Sequence, residues 1–367
     1  MNLVLEHKER LNKTAKLMQD CDVSTLLITP GSNLRYLTGY KAKNLERLTC
    51  LVLQKDELPA IIVPKLEKLA TMDSGIKDLG IEIITWEETE SSYSKIKIPK
   101  SQGLVAVDSH MNATKMLDFQ NYFIDKKFVD AKIIMNAIRS KKSQYEIDQL
   151  SLAGKFIDMV HEQIPRIFEK GDTERKLAKK IANLIIEAGH ESVDFTIVAT
   201  GQNSASPHHE PGDTLITKGD VLVIDIGGTI SSGYCSDSTR TYVMGNCSPD
   251  FLEKYEILKH AQELAIKSVK DSISAEYLDS IAREYLLKHN LDKYFIHRTG
   301  HGIGLETHEE PYIVKGNSET LVDGNAFSIE PGFYIEGKYG ARIEDIVVKN
   351  SLETIVCNNS TKDLVFI

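Results

Sequence analysis

Two acidic residues lie inside stretches that otherwise read as buried strand. VLVIDIGGTISSGYCSDSTRT, residues 221–241, runs four apolar residues straight into Asp225, and Asp237 follows twelve positions later. Alternation along an extended chain puts Asp225 on the face shared by Val221 and Val223, so burial is favoured over exposure. The SSG segment is a turn signal, and a hairpin centred on Ser231 would set the two aspartates roughly opposite one another. The construction recurs near the C-terminus. FSIEPGFYI carries Glu330, GARIEDIVV carries Glu344, and GKYG forms the turn between them. Facing carboxylates in a dry environment repel unless a proton or a cation lies between them. Two such hairpins in one chain call for a common cause.

RTGHGIGLETHEEP, residues 298–311, supplies it. His301 stands between Gly300 and Gly302, where the lack of side chains lets the backbone and the imidazole approach something closely. Imidazole with carboxylates and no thiolate suits manganese, cobalt or zinc. Four carboxylates carry a charge that two divalent cations balance, and burying that charge bare would be costly. Asp225, Asp237, His301, Glu330 and Glu344 therefore form a coherent set for two ions sharing an activated water, roughly 3.5–4 Å apart. Arg342 is two residues from Glu344, shares its face and can pair with one of the carboxylates.

Competing motifs fail on their own terms. GHGIG is not GxGxxG and does not open a helix. His297 and His301 have zincin spacing, but glycine breaks the helix and glutamate is missing from the second position. Neither GxSxG nor GxxxxGK[ST] occurs.

The rest of the chain sets the frame. Its 367 residues suffice for two domains, and 41% hydrophobic with 26% charged residues is ordinary for a globular protein. A net charge of −9 argues against nucleic acid as a partner. No apolar run reaches the roughly 18 residues a membrane span needs. MNLVLEHKERLNKTAKLM reads as a charged amphipathic helix rather than a signal peptide. Five scattered cysteines without CxxC spacing read as reduced thiols, and a cytoplasmic protein is expected.

Residues 1–133 alternate helix with the short apolar runs VSTLLIT, LTCLVLQ, AIIVP, IEIIT and GLVAVD, with a turn expected at PGSN, which indicates an α/β domain with no ligand cluster. Residues 134–367 form the second region, in which the charged joint RSKKS leads into a long amphipathic helix. They then show helix, helix, strands, twice over, which indicates an α+β domain with internal pseudo-symmetry. Expected caps are Asp172 or Thr173 and Ser248, with Gly189 as a stop.

DIGG…SDSTRT, GHGIGLETHEEP, SIEPG and RIED resemble, in order and approximate spacing, the motifs of the pita-bread metallopeptidases. NLRYLTGY and IRSKKSQYEIDQLSLA are similar to the N-terminal domain and linker of the Xaa-Pro branch, which includes prolidase and Xaa-Pro aminopeptidase. The resemblance implies a creatinase/prolidase-type α/β domain followed by an α+β pita-bread (creatinase/aminopeptidase-like) catalytic domain. It implies two divalent ions, manganese foremost with cobalt or zinc open, a proline-containing di- or oligopeptide substrate, and a homodimer. It also implies that Asp225, Asp237, His301, Glu330 and Glu344 are the metal ligands, with Glu330 shuttling the proton as well. His208 would hold substrate or the developing oxyanion, and His308 would contact the scissile region. His297 would line the proline pocket or be a satisfied structural histidine, and Arg342 would steady a ligand aspartate. His209, alternating away from His208, is expected at the surface.

Two departures stand out. The Asp225–Asp237 spacing is one longer than in many members, and Tyr312 stands where an arginine often follows HExP. The expected activity is Xaa-Pro dipeptidase, with Xaa-Pro aminopeptidase on longer peptides as the alternative. Creatinase-like C–N hydrolysis on the same scaffold, or a non-catalytic binding module, are the readings from other classes.

Overall fold

The computed structural model describes residues 3–55, 57–99, 103–270 and 272–367. The chain divides into two compact units, Met1–Arg139 and Ser140–Ile367.

In the first unit, helix α1 (Leu3–Asp20) buries Glu6, Arg10, Thr14 and Met18, spaced four apart on one face, together with Leu11. Its strands are β1 (Val23–Ile28), β2 (Cys50–Gln54), β3 (Ala60–Pro64), β4 (Glu82–Trp86), β5 (Leu104–Val107) and β6 (Phe128–Asp130). They form one mixed sheet in the order β4-β3-β2-β1-β5-β6. The turn expected at PGSN is confined to Pro30–Gly31, because Ser32 and Asn33 already begin helix α2 (Ser32–Thr38). Helices α3 (Lys68–Asp73), α4 (Ala113–Tyr122) and α5 (Lys132–Arg139) complete the unit. The division falls at 139/140 and not at 133/134, since α5 buries Ile134, Met135 and Ile138 with the first unit.

The second unit opens with α6 (Gln144–Ile167). Ser143 accepts from the Glu146 N–H while Glu146 reaches back to the Ser143 backbone, a capping box that fixes where the helix starts. Helix α7 (Glu174–Ala188) is capped by Thr173 and stopped by Gly189. Strands β7 (His190–Thr200), β8 (Val221–Ile230) and β9 (Ser238–Val243) follow. Then the order repeats: α8 (Pro249–Lys267), capped by Ser248, α9 (Ala275–Lys288), and strands β10 (Gly300–Gly302), β11 (Glu309–Ile313) and β12 (Ala326–Ile329). β13 (Gly332–Ile335), β14 (Tyr339–Arg342), β15 (Asp345–Val348), β16 (Ile355–Val356) and β17 (Val365–Phe366) close the chain. The sheets are β17-β9-β8-β7, β11-β10-β12-β15-β16 and the ribbon β13-β14.

Each helix pair covers one sheet. Ile157, Ile164, Leu177 and Ile181 of α6 and α7 pack with Leu222, Ile224 and Ile226 of β8. Phe251, Leu258, Leu278 and Ala282 of α8 and α9 pack with Phe327, Ile329 and Val347. Alternation then leaves Val221, Val223 and Asp225 on the face of β8 opposite the α6–α7 layer.

Register decides how the acids meet. Asp225 pairs with Thr239 and Ile226 with Ser238. The hairpin thus turns about Ser232, one residue later than expected, and Asp237 lies diagonally from Asp225 just before β9. The C-terminal hairpin behaves differently. Ile329 pairs with Asp345 and Gly332 with Arg342, one continuous frame that sets Glu330 opposite Glu344. The ladder is interrupted between those pairs at Pro331, which has no N–H to donate.

Ser143→Ala removes the cap of the helix that opens the second unit. It is expected to destabilise that unit by about 1 kcal/mol. An urea titration should show an earlier midpoint with an unchanged slope.

Candidate metal centre

The four acids and the imidazole come from five chain segments. Asp225 is on β8, Asp237 precedes β9, His301 is on β10, Glu330 lies between β12 and β13, and Glu344 between β14 and β15. All five line a single cavity of about 570 Å³, together with His208, His297, Arg298, His308 and Arg342.

The glycines around His301 are needed for close approach. A Cβ on Gly300 would stand 1.8 Å from the Ser328 carbonyl oxygen, and one on Gly302 2.3 Å from that of Glu310. Bare backbone lets β10 sit tightly between β11 and β12, which carries the His301 ring into the cavity. His301 Nδ1 is 3.1 Å from the Gly302 carbonyl oxygen. A carbonyl only accepts, so Nδ1 carries the proton and Nε2 keeps its lone pair. Nε2 lies 3.3 Å from Glu330 Oε1 and 3.6 Å from Asp237 Oδ2. Burial, followed by the nearby His308, lowers the His301 pKa to about 3, so the ring is neutral. A neutral imidazole with its distal nitrogen oriented by a backbone carbonyl is how histidine is presented to a metal.

The acids are crowded without enough countercharge. Burial, then the charges of Glu344, Asp225 and Glu330, pushes the Asp237 carboxyl well above the usual carboxylate range. Burial, then Glu330 and Asp225, does the same to Glu344. Burial raises Glu330 to about 7, with Arg342 opposing the shift. Arg342 Nη2 donates to Asp225 Oδ2 at 2.6 Å, and its Nε donates to Thr239 Oγ1 at 2.9 Å. That hydroxyl lies between Asp225 Oδ1, at 2.9 Å, and Glu344 Oε2, at 2.7 Å. Two guanidiniums, Arg298 and Arg342, line the cavity with four carboxylates, and of the two only Arg342 bonds one of them, which leaves the pocket short of positive charge. Divalent cations would supply it, and the donor set fits them: Asp237, His301 and Glu344 each offer a ligand atom within 4.8 Å of the others.

Three histidines ring the centre in different states. His208 and His308 are exposed at the cavity wall. The His308 ring meets His301 edge-on, with centroids 4.0 Å apart. His297 is locked in a relay. Arg342 Nη1 donates to Tyr334 Oη at 2.7 Å, leaving the Tyr334 proton for His297 Nε2 at 2.9 Å. His297 Nδ1 in turn donates to the Arg298 carbonyl at 2.7 Å. Burial, then Arg342, lowers the His297 pKa to about 3.

His209 corrects an expectation. It is not a free surface residue: its Nε2 lies 2.8 Å from Glu174 Oε2, and its side chain is 20% exposed. Glu174 also accepts from the Thr200 and Gly212 N–H groups and from Asn203. This buried carboxylate therefore ties down the 200–212 segment that carries His208. Thr239, Tyr334 and Glu174 were not singled out from the sequence. Thr239 comes opposite Asp225 only in the observed register, and Glu174 is far from the motifs in the chain, so neither role carries a sequence signal.

Comparisons with known proteins show the family. The model of metallopeptidase family M24 matches residues 148–350, and that of the creatinase/prolidase N-terminal domain matches residues 10–141. The chain is 40% identical over 363 residues to a protein of Mycobacterium tuberculosis named "Probable dipeptidase PepE", covering 98% of this chain and 96% of that one. It is 34% identical over 370 residues to the Xaa-Pro dipeptidase of Lactobacillus helveticus, covering 96% and 98%. The solved structure of recombinant prolidase from Thermococcus sibiricus superposes with a TM-score of 0.92 at 36% identity, over 98% of this chain and 99% of that one.

Two outcomes follow from the crowded acids. Manganese added to chelated protein should raise the melting temperature markedly, by mass action on the folded state. Carboxyls whose folded pKa lies above the unfolded value favour folding fully at low pH and lose that contribution as pH rises. Chelated protein should therefore lose stability as pH rises from the ordinary glutamate value of 4.5 to about 7, the Glu330 value, and the raised Asp237 and Glu344 carboxyls add to the loss in the same direction. Metal-loaded protein should not. Thermal melts across that range, with and without chelator, check both.

Proposed function

Because the chain belongs to metallopeptidase family M24 and carries a creatinase/prolidase N-terminal domain, we propose that it is an Xaa-Pro dipeptidase: it hydrolyses the bond between an N-terminal residue and proline. One observation supports the reading above the rest. Four carboxylates and a neutral imidazole with a free Nε2 converge on one cavity, with a shortage of positive charge that divalent ions would fill. The creatinase-like and binding-module readings have no use for such a set.

Asp225, Asp237, His301, Glu330 and Glu344 would hold two divalent ions. The oxygen-rich donor set favours manganese and leaves cobalt and zinc open. When bound, such ions polarise a scissile carbonyl and lower the pKa of the attacking water. The remaining work falls to side chains. Ser328 Oγ lies 3.1 Å from Glu330 Oε1, so Oε2 is the oxygen free to take a proton from water and return it to the departing proline nitrogen. His208 and His308 stand at the wall where they donate to the carbonyl oxygen as negative charge develops. Neutral His297, with Phe195 and Ile197, supplies an apolar wall for the proline ring.

Glu330→Gln keeps the shape and removes the shuttle. It is expected to lower kcat by about 10²- to 10⁴-fold on Met-Pro, measured at manganese concentrations high enough to keep the variant loaded. Full activity in that variant would remove Glu330 from the role. Met-Ala should be a poor substrate for the native chain. Equal rates on Met-Pro and Met-Ala would remove proline from the proposal.

A further inference from the structure

The far end of a bound dipeptide needs a partner that the residues above do not provide. Arg298 lines the same cavity as the acids and histidines and is half-buried. Its guanidinium carbon sits 4.4 Å from the centroid of the Tyr312 ring. The side chain makes no hydrogen bond or ion pair with any described residue; only the Arg298 backbone carbonyl is used, by His297. Neighbouring arginines are committed. Arg283 is held by Asp279 and by the Phe295 and His297 carbonyls, and Arg342 by Asp225, Thr239 and Tyr334. Arg298 is thus the cation of the cavity whose donors are unspent.

We propose that Arg298, stacked on Tyr312, binds the free C-terminal carboxylate of an Xaa-Pro dipeptide and makes the site select dipeptides over longer peptides. The inference rests on the Xaa-Pro reading above. The guanidinium lies over the Tyr312 ring and no described residue uses its N–H fork, which can therefore grip a carboxylate with two parallel hydrogen bonds. A planar cation held against a ring also loses less freedom on binding than a mobile one. A half-buried cation without a counterion is costly to keep, and an anionic ligand group relieves that cost. With the four carboxylates neutralised by divalent ions and Arg342, Arg298 is the remaining positive charge in the cavity. Tyr312, which stands where resembling enzymes often have arginine, becomes the platform and not a loss of function.

Chain length then matters through reach. An extra residue carries the terminal carboxylate about 3.5 Å further along the chain, beyond a fork fixed by stacking. An amide in place of the carboxylate keeps the position and removes the charge.

The test uses manganese-loaded full-length protein with Met-Pro, Met-Pro amide and Met-Pro-Ala. For the native chain, kcat/KM on Met-Pro should exceed that on the amide and on the tripeptide by about 10- to 100-fold, the range for hydrogen bonds to a charged group. Arg298→Met should bring the Met-Pro to amide ratio near one, with the loss on Met-Pro expressed in KM. Arg298→Lys should fall between, because a point charge lacks the fork. Tyr312→Phe should keep the preference and Tyr312→Ala should weaken it, which gives a second test if Arg298→Met does not fold. Equal turnover of all three substrates by the native chain would overturn the proposal and leave the Xaa-Pro reading standing. So would an Arg298→Met variant that keeps the native ratio. Failure to cleave any of the three by protein that binds manganese would overturn both.

Discussion

Like-charge crowding is the constraint on which the rest of the second unit depends. Asp225, Asp237, Glu330 and Glu344 converge on one cavity where Arg342 pairs with Asp225 alone, and three of the four carboxyls are pushed up in pKa. A fold that buries such a set gives up stability unless cations are bound. The neutral His301, with its proton committed to the Gly302 carbonyl, offers a lone pair and not another charge. The arrangement is therefore unfavourable when empty and favourable when loaded, the thermodynamic pattern of a binding site.

The architecture imposes the crowding from two directions. Each half of the second unit places a helix pair over one face of its sheet and turns the other face toward the cavity. The first half brings in Asp225 and Asp237 on the β8–β9 hairpin, and the second brings in Glu330 and Glu344 where Pro331 interrupts the pairing of the C-terminal hairpin. His301 enters on a short strand that only glycine neighbours permit. Around this, the Arg342–Tyr334–His297 relay and the Glu174 anchor under the His208 segment hold the cavity wall in shape.

Much of this was legible in the chain itself. Acids embedded in apolar strands, glycines flanking a histidine and repeated turn signals are local features, and local features survive in a sequence. The alternation that buried Asp225 and the facing of Glu330 with Glu344 followed directly. The first hairpin was misjudged by one residue because a turn of SSG does not specify its own centre, and register depends on which pair closes it. Long-range partners were invisible. His209 was assigned to the surface because its partner Glu174 lies 35 residues earlier in the chain, and nothing local marks that pairing. Tyr312 was read as a missing arginine because the sequence does not show that Arg298 lies over its ring.

The number of divalent ions held per chain tests the central claim most directly. Chelated protein dialysed against a small excess of manganese and then measured by elemental analysis should hold two ions per chain. His301→Ala and Asp237→Asn should each lower that number. A chain that retains none or only one, or that keeps two when both residues are replaced, would contradict the claim that these five side chains form a two-ion centre.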